Sequence, residues 1–358
     1  MSKRGNGAQE QGTGENPEGG LTYESAGVRG LGKDKSRGNF ASLEASHKFA
    51  KGPVRQLPFN TIYPVGGSLY HTKCCDGVGT KVLLAELAGK HDTIGIDAVA
   101  TVANDVIRCG ATPIALTNTI DADDPSYALV TQLQEGLLEG AMQAQVPIVA
   151  GETASLPDMF KAGYVLNCDL VGEVAASDVI DGKQVRPGDA IIGIRSSGLH
   201  ANGISLARHA LFKKWGGKYD AFAKPPGLGR ELVLECLEPT RIYVKDMNKL
   251  KKAVKVKAAV HVTGDAYAKF LHLGRGLGFE FDYFEPQEIF FTIQKAGNVS
   301  TLEMFKRFNM GWGFAVIVAG EYAEGALKAV GKDAAVIGKV TEGGKAFVNY
   351  RKKSLRLR

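Results

Sequence analysis

The stretch ATPIALTNTIDADDPSYALVTQLQEGLLEGAMQAQVPIVAGETA, residues 111–154, decides the fold class. Residues 113–120 read as a strand. From Ser126 to Gln145, Leu129, Leu133, Leu137, Gly140 and Ala144 recur three or four residues apart, which predicts a helix with one buried face. Residues 146–150 form a second short apolar strand that runs into Gly151-Glu152-Thr153. Strand, helix and strand in close succession predict a mixed α/β architecture.

The same alternation extends both ways. Upstream, a strand over residues 69–74 enters Asp76-Gly-Val-Gly-Thr-Lys81. A helix over 96–109 follows, with Val99, Val102, Ala103 and Val106 on one face and Asp97, Thr101, Asn104 and Arg108 on the other. Downstream, a strand is expected over 164–174. A turn-rich segment, 177–189, marks a domain boundary. Beyond it come a strand at 190–194, the loop Ser196-Ser-Gly-Leu-His-Ala-Asn-Gly203 and a helix at 204–212. Later come a helix opened by Pro239-Thr-Arg, a capping box at Ser300-Thr-Leu-Glu303 and a strand at 314–319. This gives a leader at 1–20, domains at 21–178 and 179–345, and a basic tail at 346–358.

Composition narrows the function. The net charge is +6, and five of the 44 basic residues fall in the last eight positions, so no basic domain face remains for nucleic acid. No apolar run reaches the ~20 residues of a membrane helix, and residues 1–20 lack the apolar core of a signal peptide. Five cysteines with neither CxxC spacing nor even number predict no disulfide framework and a reducing, cytoplasmic setting.

Three segments carry candidate chemistry. Asp76-Gly-Val-Gly-Thr-Lys81 combines a carboxylate, two glycines, a hydroxyl and an ammonium. It suits a phosphate loop, although a plain Asp-Gly turn accounts for it equally well, and it is not a P-loop. Asp76, Asp97, Asn104, Asp105 and Glu152 are hard oxygen donors suited to Mg²⁺. Asp97 alternatively caps a helix over 98–107, and Glu152 alternatively is a solvated strand end. The loop 196–203, between strand and helix, offers backbone amides to an anion and presents His200 for hydrogen bonding or proton transfer; a structural His is the alternative.

Taken in order, DGVGTK (76–81), HDTIGID (91–97), ND (104–105), GETA (151–154), SSGLHANGISL (196–206), PTRIYVK (239–245) and NMGWGF (309–314) resemble the aminoimidazole ribonucleotide synthetase family, the phosphoribosylformylglycinamidine cyclo-ligases, over residues 21–345. The resemblance implies a two-domain PurM-like fold with the active site in the cleft between the domains. It also implies a homodimer whose N-terminal sheets join into a barrel. The implied function is a ligase of purine biosynthesis: with ATP and Mg²⁺ it closes formylglycinamidine ribonucleotide to aminoimidazole ribonucleotide, releasing ADP and phosphate. Residue by residue it implies ATP-phosphate contacts at Asp76, Gly77, Gly79, Thr80 and Lys81. It places metal ligands at Asp76, Asp97, Asn104, Asp105 and Glu152, and substrate or phosphate contacts at Ser197, His200 and Asn202. His200 and Asp97 are the expected catalytic pair. The alternatives are another ATP-dependent enzyme of the superfamily, of selenophosphate synthetase or thiamine-monophosphate kinase type, and a non-catalytic nucleotide-binding protein. The chain departs from the family at the N-terminal lid, positions 22–68, and at Thr263-Gly-Asp-Ala266, where members often carry Thr-Gly-Gly-Gly.

Overall fold

The computed structural model describes residues 19–28, 43–160 and 163–357. Residues 1–18 of the expected leader and 29–42 of the expected lid lie outside this set.

The first domain is a six-stranded sheet of β1 (Arg55–Gln56), β2 (Thr61–Gly66), β3 (Leu69–Gly77), β4 (Thr112–Ala122), β5 (Ile148–Ser155) and β6 (Tyr164–Ala175), in the order β1-β2-β3-β6-β4-β5. Only β4 and β5 run parallel, because a helix crossover joins them. Helices α1 (Asp92–Val106) and α2 (Tyr127–Ala144) cover one face. Leu133, Leu137, Gly140 and Ala144 of α2 are buried as the sequence predicts, and Ser126 caps the helix by accepting from Leu129 N at 3.3 Å. The two helices touch at glycines: a side chain on Gly136 would collide with Asp92 O, and one on Gly95 with the Gly136–Leu137 backbone.

The second domain holds a seven-stranded sheet. Its strands are β7 (Ala190–Arg195), β8 (Ala258–His261), β9 (Leu277–Phe281), β10 (Trp312–Val318), β11 (Ala334–Glu342), β12 (Ala346–Tyr350) and β13 (Lys353–Arg356), in the order β13-β12-β9-β11-β7-β10-β8. Every residue of β10 is buried. Two helices matter for the site: α3 (Ile204–Leu211) after the 196–203 loop, and α4 (Val244–Ala253).

Three expectations change. The helix expected from 96–98 begins at Asp92, so Asp97 lies within its second turn and is not its cap. Glu152 lies inside β5 and not at its end. The stretch expected as a basic tail is two strands: β13 pairs with β12, and Leu355 and Leu357 are buried. The turn at 177–189 does separate the two sheets.

Candidate functional site at the domain junction

The loop after β3 reaches the second domain directly. A side chain on Gly77 would collide with Asn167, and Gly79 turns the chain at φ +66. The Thr80 hydroxyl lies 3.1 Å from the Ser205 hydroxyl on the first turn of α3. Lys81 and Asp97 are both 0% exposed, with Nζ 2.7 Å from the carboxylate. The Lys81 ammonium also donates to Glu238 O at 2.7 Å. Asp97 Oδ1 accepts from the Thr240 amide at 2.8 Å and from its hydroxyl at 2.5 Å.

The rest of the polar face of α1 is used in the same way. Asn104 donates to Arg241 O and accepts from Tyr243 N, both at 2.9 Å. Asp105 pairs with Arg108 at 3.0 Å and with His261 Nδ1 at 2.8 Å. Burial alone would raise the Asp105 carboxyl, but Arg108 and His261 hold it well below the ordinary carboxylate range. Buried charges and amides must find partners, and here the partners come from Pro239–Tyr243 and β8. Lys81, Asp97 and Asn104, expected at phosphate or metal, form a latch between the domains instead.

Asp76 and Glu152 keep open carboxylates. Among the described residues each accepts only the amide of the next residue, Gly77 N at 2.8 Å and Thr153 N at 3.0 Å. Burial raises the Asp76 carboxyl, with Asp105 adding to the shift, and Lys269 opposes it. Their placement rules out a shared ion within one chain. Asp76 pairs across the sheet with Cys168, Cys168 with Asn118 and Asn118 with Gly151, so Glu152, one residue further, lies three strands away from Asp76. Among the described residues no group of three or more His, Cys, Asp or Glu side chains is placed to hold a metal. The expected Mg²⁺ set therefore does not fit as one site. Glu152 instead lines a cavity of about 340 Å³ together with Asn118, Gln134 and Thr153.

The loop 196–203 is built around His200, which is 1% exposed and sits in the left-handed region at φ +63. Its Nε2 accepts from Ser197 N at 3.3 Å, which places the ring proton on Nδ1, and that atom is buried with no hydrogen-bond partner among the described residues. The ring fits only because position 313 is glycine; a side chain there would collide with His200 and with the Tyr243 hydroxyl. Burial holds the imidazole neutral, well below its ordinary value, with His261, Lys81 and Arg241 adding to the effect. His200 therefore shapes the loop from inside. Ser197 donates to Pro239 O, Asn309 donates to Gly198 O at 2.8 Å, and Asn202 stays half-buried on the outer side. The structure thus brings Thr80, the 196–203 loop and the first turn of α3 together, and keeps Glu152 apart.

Sequence reasoning missed Thr240, Arg241, Tyr243, His261 and Lys269. Their signal was present in part: a lysine and an aspartate buried on one domain require donors and acceptors from the other, and PTRIYVK supplies them. Arg241 itself joins Asp246 at 2.9 Å and Asp333 at 3.0 Å.

Residues 61–174 match the AIR synthase related protein N-terminal domain, and residues 186–351 the corresponding C-terminal domain. A phosphoribosylformylglycinamidine cyclo-ligase of Methanocaldococcus jannaschii is 38% identical over 357 residues, covering 94% of this chain and 99% of that protein. One of Pyrococcus furiosus is 42% identical over 314 residues, covering 86% and 91%. In fold, the chain is similar to a hydrogenase maturation protein, HypE, solved in complex with ATP, at a TM-score of 0.57 and 17% identity over 92% of this chain and 96% of that one.

Proposed function

The chain belongs to the AIR synthase related family, among its phosphoribosylformylglycinamidine cyclo-ligases, and from that premise we propose that it closes the imidazole ring of aminoimidazole ribonucleotide at the junction of its two domains. The near full-length identity with cyclo-ligases carries the activity. The contact of Thr80 with Ser205 carries the location.

In this reading the γ-phosphoryl group of ATP passes to the formyl amide oxygen of formylglycinamidine ribonucleotide, and ADP leaves. The amidine nitrogen then attacks the activated carbon; a C–N bond forms, the C–O bond breaks and phosphate departs with the oxygen. Such chemistry asks the protein for position and charge stabilisation more than for a nucleophile. The Gly77–Thr80 turn and the amides at the start of α3 suit phosphoryl oxygens, with Ser197 and Asn202 on the adjoining loop. The latch of Lys81, Asp97 and Asn104 fixes the two loops against each other. Among the described residues no ligand set for the Mg²⁺ expected with the nucleotide converges within one chain. Five free thiols suit a reducing cytoplasm.

A homodimer through β5 belongs to the same proposal. This strand is the sheet edge, nearly all of it exposed, with Ile148 39% and Val149 59% exposed. An exposed apolar edge calls for a partner. Light scattering should give a dimer that Val149→Glu weakens; a monomeric wild type at micromolar concentration would overturn the assignment.

The activity test supplies Mg·ATP and formylglycinamidine ribonucleotide to the purified protein and follows aminoimidazole product. One ADP per ring is expected. Phosphate release without ring product, or activity confined to thiamine phosphate or selenide, would refute the reading.

A further inference from the structure

Asn309 opens the NMGWGF segment, and no step above uses it. Its side chain is 3% exposed and locked in place. Oδ1 accepts from Gly311 N at 2.9 Å, and the backbone carbonyl accepts from the Tyr267 hydroxyl. The carboxamide nitrogen therefore faces the 196–203 loop, where it donates to Gly198 O at 2.8 Å and to Leu199 O at 3.4 Å. Gln287 holds the entrance to the same loop, donating to Ser196 O at 2.8 Å.

A peptide unit is planar, and in its trans form the N–H points opposite to the C=O. No cis peptide bond occurs among the described residues. Two carbonyls drawn toward Asn309 therefore send the amides of Leu199 and His200 the other way. Both residues are 1% exposed, and neither amide has a hydrogen-bond acceptor among the described residues. Buried amides without an acceptor are rare, because each carries the cost of a lost hydrogen bond. Two in succession suit an oxygen of an anion. The loop opens on the junction: the Ser205 hydroxyl, five residues after His200, lies 3.1 Å from that of Thr80. Glu238 stands beside Gly198, and Arg230 balances its carboxylate at 2.6 Å.

We propose that Asn309 is a positioning residue of the ring-closing site: by holding the carbonyls of Gly198 and Leu199, it aims the amides of Leu199 and His200 at a phosphoryl oxygen of a substrate. This rests on the reading above that puts phosphate at this loop. Both substrates carry phosphate, the ribose 5′-phosphate of formylglycinamidine ribonucleotide and the phosphates of ATP, and separate measurements distinguish them.

Hydrogen exchange of the wild-type protein, read by mass spectrometry on peptides covering 198–203, tests the amides directly. One of the two ligands, each added alone at saturation, should slow exchange at Leu199 and His200, and that ligand identifies the phosphate. No slowing with either overturns the proposal. Asn309→Ala should then weaken that ligand by at least ~10-fold in equilibrium binding, as for loss of one hydrogen bond to a charged oxygen, and leave the other near its wild-type affinity. A folded Asn309→Ala that binds both as wild type does, or loses both alike, shows that Asn309 only props the turn and overturns the proposal. If the alanine variant does not fold, Asn309→Asp decides. Its buried carboxyl has a raised pKa, so it offers Gly198 O a donor only when protonated, and binding that is weak at about pH 8 should recover toward wild type at about pH 6. A folded Asp variant that matches wild type at both pH values overturns the proposal. Wild type that shows protection without forming ring product counts against the activity alone; ring product without protection counts against Asn309 alone.

Discussion

Replacing Lys81 by Met removes half of an ion pair that has no water on either side. At 2.7 Å and an effective dielectric of about 20, the attraction is roughly 6 kcal/mol before desolvation. Desolvation of the two charges offsets much of that, so the pair as a whole contributes little. Taking away one partner is different: Asp97 stays charged and buried, stabilised only by the amide and hydroxyl of Thr240, and Glu238 O loses its donor. Breaking a buried pair in this way costs about 3–5 kcal/mol. Lys81→Met should therefore lower the first urea transition by about that amount. Lys81→Met combined with Asp97→Asn should regain more than half, because Asn still accepts from Thr240 and no charge is stranded. Trp215 and Trp312, both in the second domain, give a fluorescence signal, and circular dichroism reports both domains. The reasoning fails if Lys81→Met unfolds within about 1 kcal/mol of wild type while ATP binding falls more than tenfold; Lys81 would then serve the nucleotide, as its sequence context suggests.

Two further outcomes follow from burial. His200 has its pKa depressed in the folded protein, so the unfolded chain binds more protons below the ordinary value of 6.5; stability should fall on acidification from about pH 6.5, by at most about 1.4 kcal/mol per pH unit for this group. His200→Asn, which tolerates φ +63, should flatten that slope in urea unfolding, and parallel slopes would refute the assignment. Deleting residues 351–358 should remove β13 and the burial of Leu355 and Leu357, costing roughly 3–6 kcal/mol at 1.5–3 kcal/mol per leucine; unchanged unfolding would show that the strand contributes nothing.

What the sequence made legible depends on what each face of an element meets. The helix over 126–145 was readable because one face packs mainly on α1 and the other meets mostly water, so apolar and polar residues sort as a period of 3.6 requires. The helix containing Asp97 carries the same two-faced pattern, but its polar face meets another domain. Polarity records a need for hydrogen-bond partners and does not say whether water, metal, phosphate or backbone meets it. Asp97, Asn104 and Lys81 looked like ligand residues because their true partners, Glu238, Thr240, Arg241 and Tyr243, lie over 130 residues away in sequence. His200 was legible as a special position in its loop, but not as a side chain turned inward, because that depends on Gly313 in a strand more than a hundred residues further on.

The C-terminal stretch shows the opposite case, a signal present and outweighed. Ser354-Leu-Arg-Leu357 alternates polar and apolar residues with the period of a strand, while its charges suggest a solvated tail. The two-residue spacing puts Leu355 of β13 and Leu357 just after it on one side, where they are 8% and 5% exposed, and leaves Arg356 outside. Charge therefore reports which side of the strand faces water, and alternation reports that there is a strand. The same rule separates the junction residues. Lys81 and Asp97 are buried against each other and against Glu238 and Thr240 of the other domain, and act structurally. Asp76 keeps an open carboxylate at the junction, and loss of its charge should change ligand binding more than stability.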